Sequence, residues 1–302
     1  MPRQIKTTSE YHRLRGWPKP AHPLISVIDL DAVSCLPDHG VNGVVVEFYS
    51  ICIKQGSNIK LTYGQQNYDF DSGVMFFMAP RQVFSINANG VEAPKQSGWL
   101  LLIHPDFFWG KSLATHIKNY EFFYYYVNEA LFLSDKEEAA MISIIRNIEK
   151  EYEANIDKFS KNIIISQLET LLNYVERFYN RQFITREKAG HRVLEQLEEL
   201  LTAYFNSEDL IKKGLPTVHA VAQSLNISPK YLGNMLRLHT GQNVQQHIHE
   251  KLIEIAKEKL SATNLSVAEI AYMLGFEYPQ SFSKLFKAKT SQTPVEFRAS
   301  FN

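Results

Sequence analysis

Two sets of side chains near the C-terminus share a spacing that puts hydrogen-bond donors on one helix face. Lys230, Asn234 and Arg237 stand at i, i+4 and i+7, and Gln280, Lys284 and Lys287 repeat that spacing 50 residues later. On a helix, positions so spaced lie one above another. Arg and Lys donate to guanine O6 and N7 or to phosphate oxygens, and Asn and Gln pair with adenine, so both triads hold the groups that read base edges in a major groove. Ser228 and Tyr231 flank the first triad, and Tyr278 and Ser281 the second, completing the candidate DNA-contacting set. From Ser228 to Thr240 there are two cations and no acid, and from Tyr278 to Thr290 three cations and no acid. A Lys-rich face is ordinary on a solvated helix; its recurrence at corresponding positions is what points to binding.

Those triads need short helices set at an angle, and the surrounding sequence supplies them twice. Ala222 and Leu225 correspond to Ala271 and Leu274 at an offset of 49, while Leu232, Leu236, Arg237 and Thr240 correspond to Phe282, Phe286, Lys287 and Thr290 at an offset of 50. One residue is therefore added in the second turn. In each copy an alanine precedes the break by four residues, Ala222 before Asn226 and Ala271 before Gly275, leaving room for close helix crossing. Asn and Gly enter left-handed conformations most cheaply. Ser228 with Pro229 is an N-cap followed by proline at the first helical position, and Ser266 with Glu269 is a capping box. Helix, tight turn and steeply set helix make a helix-turn-helix. Between the copies a helix is expected over roughly Asn243 to Leu260, ~27 Å at 1.5 Å per residue.

The rest of the chain reads as a different kind of domain. At 302 residues, two domains are expected. From Leu24 to about His104 the segments GVVVEFYSICIK, LTY, NYDF, VMFFMAP and GWLLLIHP alternate with turn-formers, the spacing of a sandwich or small barrel. Helices follow. Ser134 and Glu137 cap one with Met141, Ile144, Ile145, Ile148 and Tyr152 on a face, and a second carries Ile164, Leu168, Leu171, Val175 and Phe178 at heptad spacing. That stripe serves either its own domain or a dimer seam. Around 181–190 the chain is polar and without apolar periodicity, the expected linker, and Val193, Leu197, Leu200, Leu201 and Tyr204 then mark another amphipathic helix.

Total charge excludes little, since 32 Lys+Arg balance 32 Asp+Glu, and residues 191–302 hold 12 Lys+Arg against 11 Asp+Glu. Any basic patch is local. Two cysteines, Cys35 and Cys52, are too few for a disulfide framework and lack metal-knuckle spacing. The N-terminus lacks the apolar core of a signal peptide, and no apolar run reaches the roughly 20 residues that span a bilayer. A cytoplasmic protein without membrane association is expected.

Ile270-Ala271, Gly275-Phe276, Ser281-Phe282-Ser283-Lys284-Leu285-Phe286-Lys287, Thr290, Thr293-Pro294 and Phe297-Arg298 follow in an order that resembles the second motif of the AraC/XylS family of bacterial transcription regulators. The resemblance spans both copies. It departs at Ser291, where the family has glycine and the first copy keeps Gly241, and at Lys251, where the connecting helix has arginine. The N-terminal part resembles the family's cupin-like sensor domain in its layout of strands followed by helices. The resemblance implies an α+β chain: a cupin-like β-barrel or sandwich with packed helices over 1–180, serving sensing and dimerisation, a linker over 181–190, and an all-α domain over 191–302 with two helix-turn-helix motifs joined by a long helix. It implies a sequence-specific DNA-binding regulator controlled by a small-molecule effector in the β domain. Its partners would be double-stranded DNA, the effector, a second copy and RNA polymerase, with no cofactor.

The alternative is a cupin-type enzyme with an appended DNA-binding domain. Residues 41–103, where cupin metal ligands would lie, contain no histidine. His247 and His249 are two apart on a helix, so they face away from each other and with Glu250 make no zinc pair. A reactive-cysteine repair activity would need more than two cysteines, and Cys52 reads as core. No catalytic residue and no metal ligand are assigned. Glu47 is the one charge in VVVEFYSICI and needs a partner, a ligand or solvent. With Tyr49, Tyr63, Phe77 and Trp99 it forms the candidate effector-contact set, the aromatics being equally suited to core, and Trp17 could cover such a pocket.

Overall fold

The computed structural model describes residues 3–33, 44–55, 59–63, 66–70, 73–84, 97–126, 129–154, 157–185, 187–207, 210 and 214–300; at 59–63, 66–70, 83–84, 185 and 187–191 it describes the backbone alone. The chain forms two compact units, residues 1–182 and 183–302.

The first unit runs β1 (Arg3–Ile5), α1 (Thr8–Arg15), β2 (Ile25–Asp29), β3 (Val44–Val46), β4 (Tyr49–Lys54), β5 (Ile59–Tyr63), β6 (Gln66–Phe70), β7 (Val74–Met78), β8 (Val83–Phe84), β9 (Gly98–Ile103), a short α2 (Leu113–His116), β10 (Leu131–Phe132), α3 (Asp135–Glu153) and α4 (Ser160–Thr185). Five strands pair in the order β10-β7-β4-β9-β2, three in the order β1-β3-β8, and β5 with β6 forms a hairpin. None of these described sheets closes on itself, so the closed barrel that was one form of the expectation is not what the described strands make. The run read as one strand, GVVVEFYSICIK, is two: β3 belongs to the three-stranded sheet and β4 to the five-stranded one. The chain bends at Glu47 and Phe48, and strands that switch sheets need such a corner.

Ile5, Val44 and Val46 of the small sheet share a core with Ile28, Leu100 and Leu102 of the large one, closed by Tyr11 and Trp17. Trp17 is therefore core, set edge-on against Tyr11 and His12, and covers no opening. The opposite face of the large sheet packs on the aromatic segment after β9, where Phe108 and Phe123 meet Tyr49. With both faces covered, β9 is buried along its whole length, which is why GWLLLI is a continuous apolar run without alternation. The heptad-spaced Ile164, Leu168, Leu171, Val175 and Phe178 are all buried within this single chain, so the stripe serves its own domain. The edge strand β10 is finished by side chains of α4: Gln182 accepts from Phe132 N at 2.8 Å and donates to Ala130 O at 3.1 Å, and Arg181 donates to Phe132 O at 2.8 Å.

Residues 181–185 and 187–190 are helical, with α4 ending at Thr185 and α5 (Glu187–Phe205) beginning two residues later. Their Arg, Gln, Glu, Lys and Ala are good helix formers, so polarity alone does not make a segment irregular. The second unit continues α6 (Val218–Ser224), α7 (Pro229–Thr240), α8 (Val244–Ala262), α9 (Val267–Met273), α10 (Pro279–Thr290) and α11 (Pro294–Ala299). The repeat is exact in length: α6 and α9 have 7 residues each, α7 and α10 have 12 each. Within each motif the two helices touch, and α8 touches α5, α7, α9, α10 and α11. Ala222, Leu232, Leu236, Ile248, Leu252, Ala256, Ile270, Ala271, Leu274, Phe282 and Phe286 fill the core.

Candidate nucleic-acid interface

Side-chain caps start three of the four motif helices and α11, while α10 begins on Pro279 with no side-chain cap. Thr217 Oγ1 accepts from Ala220 N at 3.1 Å, and Ser228 Oγ from Tyr231 N at 3.2 Å. Ser266 with Glu269, and Thr293 with Glu296, form reciprocal capping boxes. The amide and hydroxyl donors of Ser266 and Thr293 hold the Glu269 and Glu296 carboxyls below the usual range. The break in the first motif falls on Asn226, at φ 55°, and in the second on Gly275, at φ 78°. Gly241 closes α7 at φ 73° and Ser291 closes α10 at φ 62°. Ser291 thus adopts the left-handed cap that glycine fills in the first copy, at a steric cost of roughly 1–2 kcal/mol.

With Leu232, Met235 and Leu236 turned inward on α7, and Phe282 and Phe286 on α10, the triads face outward. Lys230 and Arg237 are exposed, and Asn234 and Tyr231 half-buried. Gln280, Ser281, Lys284, Lys287 and Tyr278 are all exposed, Tyr278 at 61%. Ser228 is the exception among the proposed contacts: it is 1% exposed and caps α7, so its hydroxyl serves the fold. Arg237 Nη1 donates to Asn234 Oδ1 at 3.1 Å, tying two members of the first triad. The exposed faces are separated by α8, 19 residues and so ~28 Å long.

The connecting helix is fixed on both sides. Lys251 Nζ lies 3.0 Å from Glu254 and 3.9 Å from Glu198 of α5, so Lys251 pairs α8 with α5. Arg298 Nε donates at 3.2 Å to Leu260 O, one of the last carbonyls of α8, and Phe297 packs edge-on against Phe286. This anchoring role of Arg298 had no signal in the sequence, since Arg298 stands 38 residues from Leu260. His247 and His249 turn to different partners, Thr240 and Gln245. Burial, with the Lys289 charge adding to it, lowers the His249 proton affinity. Among the described residues no group of three His, Cys, Asp or Glu is arranged to hold a metal ion.

Of the candidate effector contacts, three aromatics share one face of the large sheet and Glu47 lies at a corner between sheets. Tyr49, Phe77 and Trp99 lie on the helix-facing side of the large sheet and are buried. Tyr49 meets Phe123, and Phe77 meets Phe122 and Phe123, all edge-on. Burial pushes the Tyr49 hydroxyl up to about 12. Glu47, at the corner between β3 and β4, accepts from Arg81 Nε at 3.0 Å and Gln4 Nε2 at 2.7 Å, and the Arg81 bond chiefly holds its carboxyl below the usual range. A protein partner therefore answers the charge that invited a ligand. The Tyr63 side chain and Cys35 lie outside the described residues. Cys52 packs against the core between the sheets.

A family model described as a helix-turn-helix domain matches residues 221–300. The HTH-type transcriptional regulator GlxA of Rhizobium meliloti (strain 1021) is 33% identical over 113 residues, 37% of this chain and 35% of GlxA. The chain thus spans about a third of the length of that relative. The Msm operon regulatory protein of Streptococcus mutans serotype c is 20% identical over 240 residues, 79% of this chain and 80% of that protein. Among solved structures, a transcriptional regulator described by its AraC-type DNA-binding domain, from Chromobacterium violaceum, is 19% identical with a TM-score of 0.34, covering 38% of this chain and 96% of that one.

Proposed function

From the AraC-type helix-turn-helix domain that the second unit carries, we propose that the protein is a DNA-binding transcriptional regulator of the AraC family. Helices α7 and α10 enter successive major-groove segments and α8 holds them apart. The observation that carries this reading is the pair of 12-residue helices, each capped by proline at its first position, whose outward faces bear Lys230 and Arg237, and Lys284 and Lys287, without an acid. Donors at those positions suit base edges and phosphates together. Because α8 is anchored at its C-terminal end by Arg298 and flanked by α5 through Lys251, the two faces have a fixed separation.

The first unit, on this reading, is the regulatory half: it takes a small-molecule effector and a second copy of the chain, and RNA polymerase is the further partner at the promoter, in the cytoplasm. The order of strands followed by α3 and α4 is what supports a sensor of the cupin-like kind. No observation favours the enzyme alternative.

The test is a gel-shift titration of the full chain on promoter DNA from its own genomic neighbourhood, repeated across salt. A protein neutralising several phosphates loses affinity with a slope of about −0.9 per phosphate in log–log form. A steep slope and retardation at low salt are expected. Absence of binding at low salt overturns the proposal.

A further inference from the structure

We propose that Tyr278 is a phosphate-contacting residue of the second motif, standing where its counterpart in the first motif caps the helix instead. The inference rests on the DNA-binding role proposed above. Its basis is a difference between two positions that the repeat makes equivalent at the offset of 50 residues, Ser228 before Pro229 and Tyr278 before Pro279. Each is the N-cap of a 12-residue helix. Ser228 is 1% exposed and its Oγ accepts from Tyr231 N at 3.2 Å, whereas Tyr278 is 61% exposed and makes no side-chain cap bond.

A tyrosine cannot cap as a serine does, because its one side-chain oxygen stands at the far end of a rigid ring. The amide that Ser228 Oγ satisfies in the first copy is Tyr231 N; the corresponding amide of the second copy, Ser281 N, turns to the Tyr278 carbonyl at 3.0 Å. Thr217, Ser228, Asn243, Ser266 and Thr293 cap α6, α7, α8, α9 and α11 with side-chain oxygens, so α10 breaks a rule that its neighbours keep. A missing cap of this kind lowers stability. Such local losses collect where a side chain is needed for something else. An exposed tyrosine is ordinary by itself; one that displaces a cap at the head of a DNA-reading helix is accounted for by a contact.

The chemistry of the phenol selects the contact. Its O–H is a donor at the tip of a long side chain, and tyrosine hydroxyls are among the groups that bond phosphate oxygens. Lys284, Lys287 and Lys289 are exposed on the same helix, with no acid from Tyr278 to Thr290, and draw the nucleic-acid backbone toward it. A hydrogen bond to an ionised acceptor is the stronger kind. Because the phenol is neutral, it adds affinity without displacing a counterion, which separates its effect from that of the lysines.

The experiment measures, for the full chain and its Tyr278→Phe and Tyr278→Ser variants, the affinity across salt for promoter DNA from its own genomic neighbourhood and for a random duplex, with thermal unfolding of each protein. Tyr278→Phe removes the hydroxyl alone and should weaken binding about tenfold on both duplexes, with the salt slope unchanged. Tyr278→Ser should weaken binding at least as much while raising the unfolding midpoint by a few degrees, since serine restores the cap that Ser228 makes. A merely structural role would not lower affinity while raising stability. Unaltered affinity in Tyr278→Phe overturns the phosphate contact, and so does a loss confined to the promoter duplex, which would make Tyr278 a base reader. A Tyr278→Ser midpoint that does not rise overturns the exchange of cap for contact. In each of those cases the regulator reading stands; a wild-type chain that binds neither duplex overturns that reading as well.

Discussion

The backbone of Gly275 runs against that of Gly214: a methyl group on Gly275 would lie 3.1 Å from the Gly214 Cα and 2.8 Å from the Leu210 carbonyl oxygen. Tyr204 of α5 donates to Gly214 O at 2.9 Å, so the segment before the first motif is held between α5 and the turn of the second. Gly275 thus answers two demands, a φ of 78° and a backbone approach that leaves no room for Cβ.

Gly275→Ala should therefore destabilise by about 2–4 kcal/mol, combining left-handed strain with overpacking. Gly241→Ala has the same backbone requirement and open space around it, so it should lose only about 1 kcal/mol. Denaturant midpoints of the full chain compare the two; equal losses would show that the close approach adds nothing.

Ser291→Gly should stabilise the second unit by about 0.5–1 kcal/mol, because the strain of a side chain at φ 62° exceeds the extra unfolded-state freedom that glycine brings. The readout is the same denaturation curve. A destabilised variant would mean that the Ser291 side chain contributes something beyond the cap.

Residues whose signals are local were legible, and residues whose roles depend on distant chain were not. Ser228-Pro229, Ser266 with Glu269, Asn226 and Gly275 fix where helices start and break through bonds to near neighbours, so both motifs and the inserted turn residue follow from the sequence. The division of GVVVEFYSICIK did not, because apolar residues continue through the corner at Phe48 and only the partners of β3 and β4 reveal it. Tyr49, Phe77 and Trp99 suit a pocket wall or a core equally by chemistry; the register of β4 with β7 and β9 puts them under the aromatic segment. Arg81, distant in sequence from Glu47, and Gly214, distant from Gly275, gave no signal at all.

Buried His12 gives the first unit a pH dependence. Its Nδ1 faces the Pro18 carbonyl, an acceptor only, so Nδ1 carries the proton and Nε2 accepts from the Ser26 hydroxyl 2.7 Å away. Burial lowers its proton affinity below the ordinary 6.5, with the Pro18 bond opposing. The folded chain therefore binds fewer protons than the unfolded one, and stability held above 6.5 is lost as pH falls below it. Denaturation midpoints between pH 7.5 and 5.5 should fall, and His12→Gln should reduce that slope. An unchanged slope in the variant would assign the effect to other groups.

The anchored α8 makes spacing on DNA a geometric constraint. With the two motifs joined by α8, 19 residues and ~28 Å long, one chain should protect two major-groove segments on the same face of the duplex, centred about 10 base pairs apart. Inserting about 5 base pairs between them turns one segment to the opposite face, where a stiff helix cannot follow, and binding should fall to what one motif supports. Inserting about 10 restores the face but adds ~34 Å to the separation, beyond the reach of α8. Both insertions should fail, whereas two motifs on a flexible tether would recover at the full turn. Footprinting of the full chain on the longer insertion decides between them: simultaneous protection of both segments by one chain would mean that α8 does not set the separation, and that Arg298 and Lys251 hold it for some other purpose.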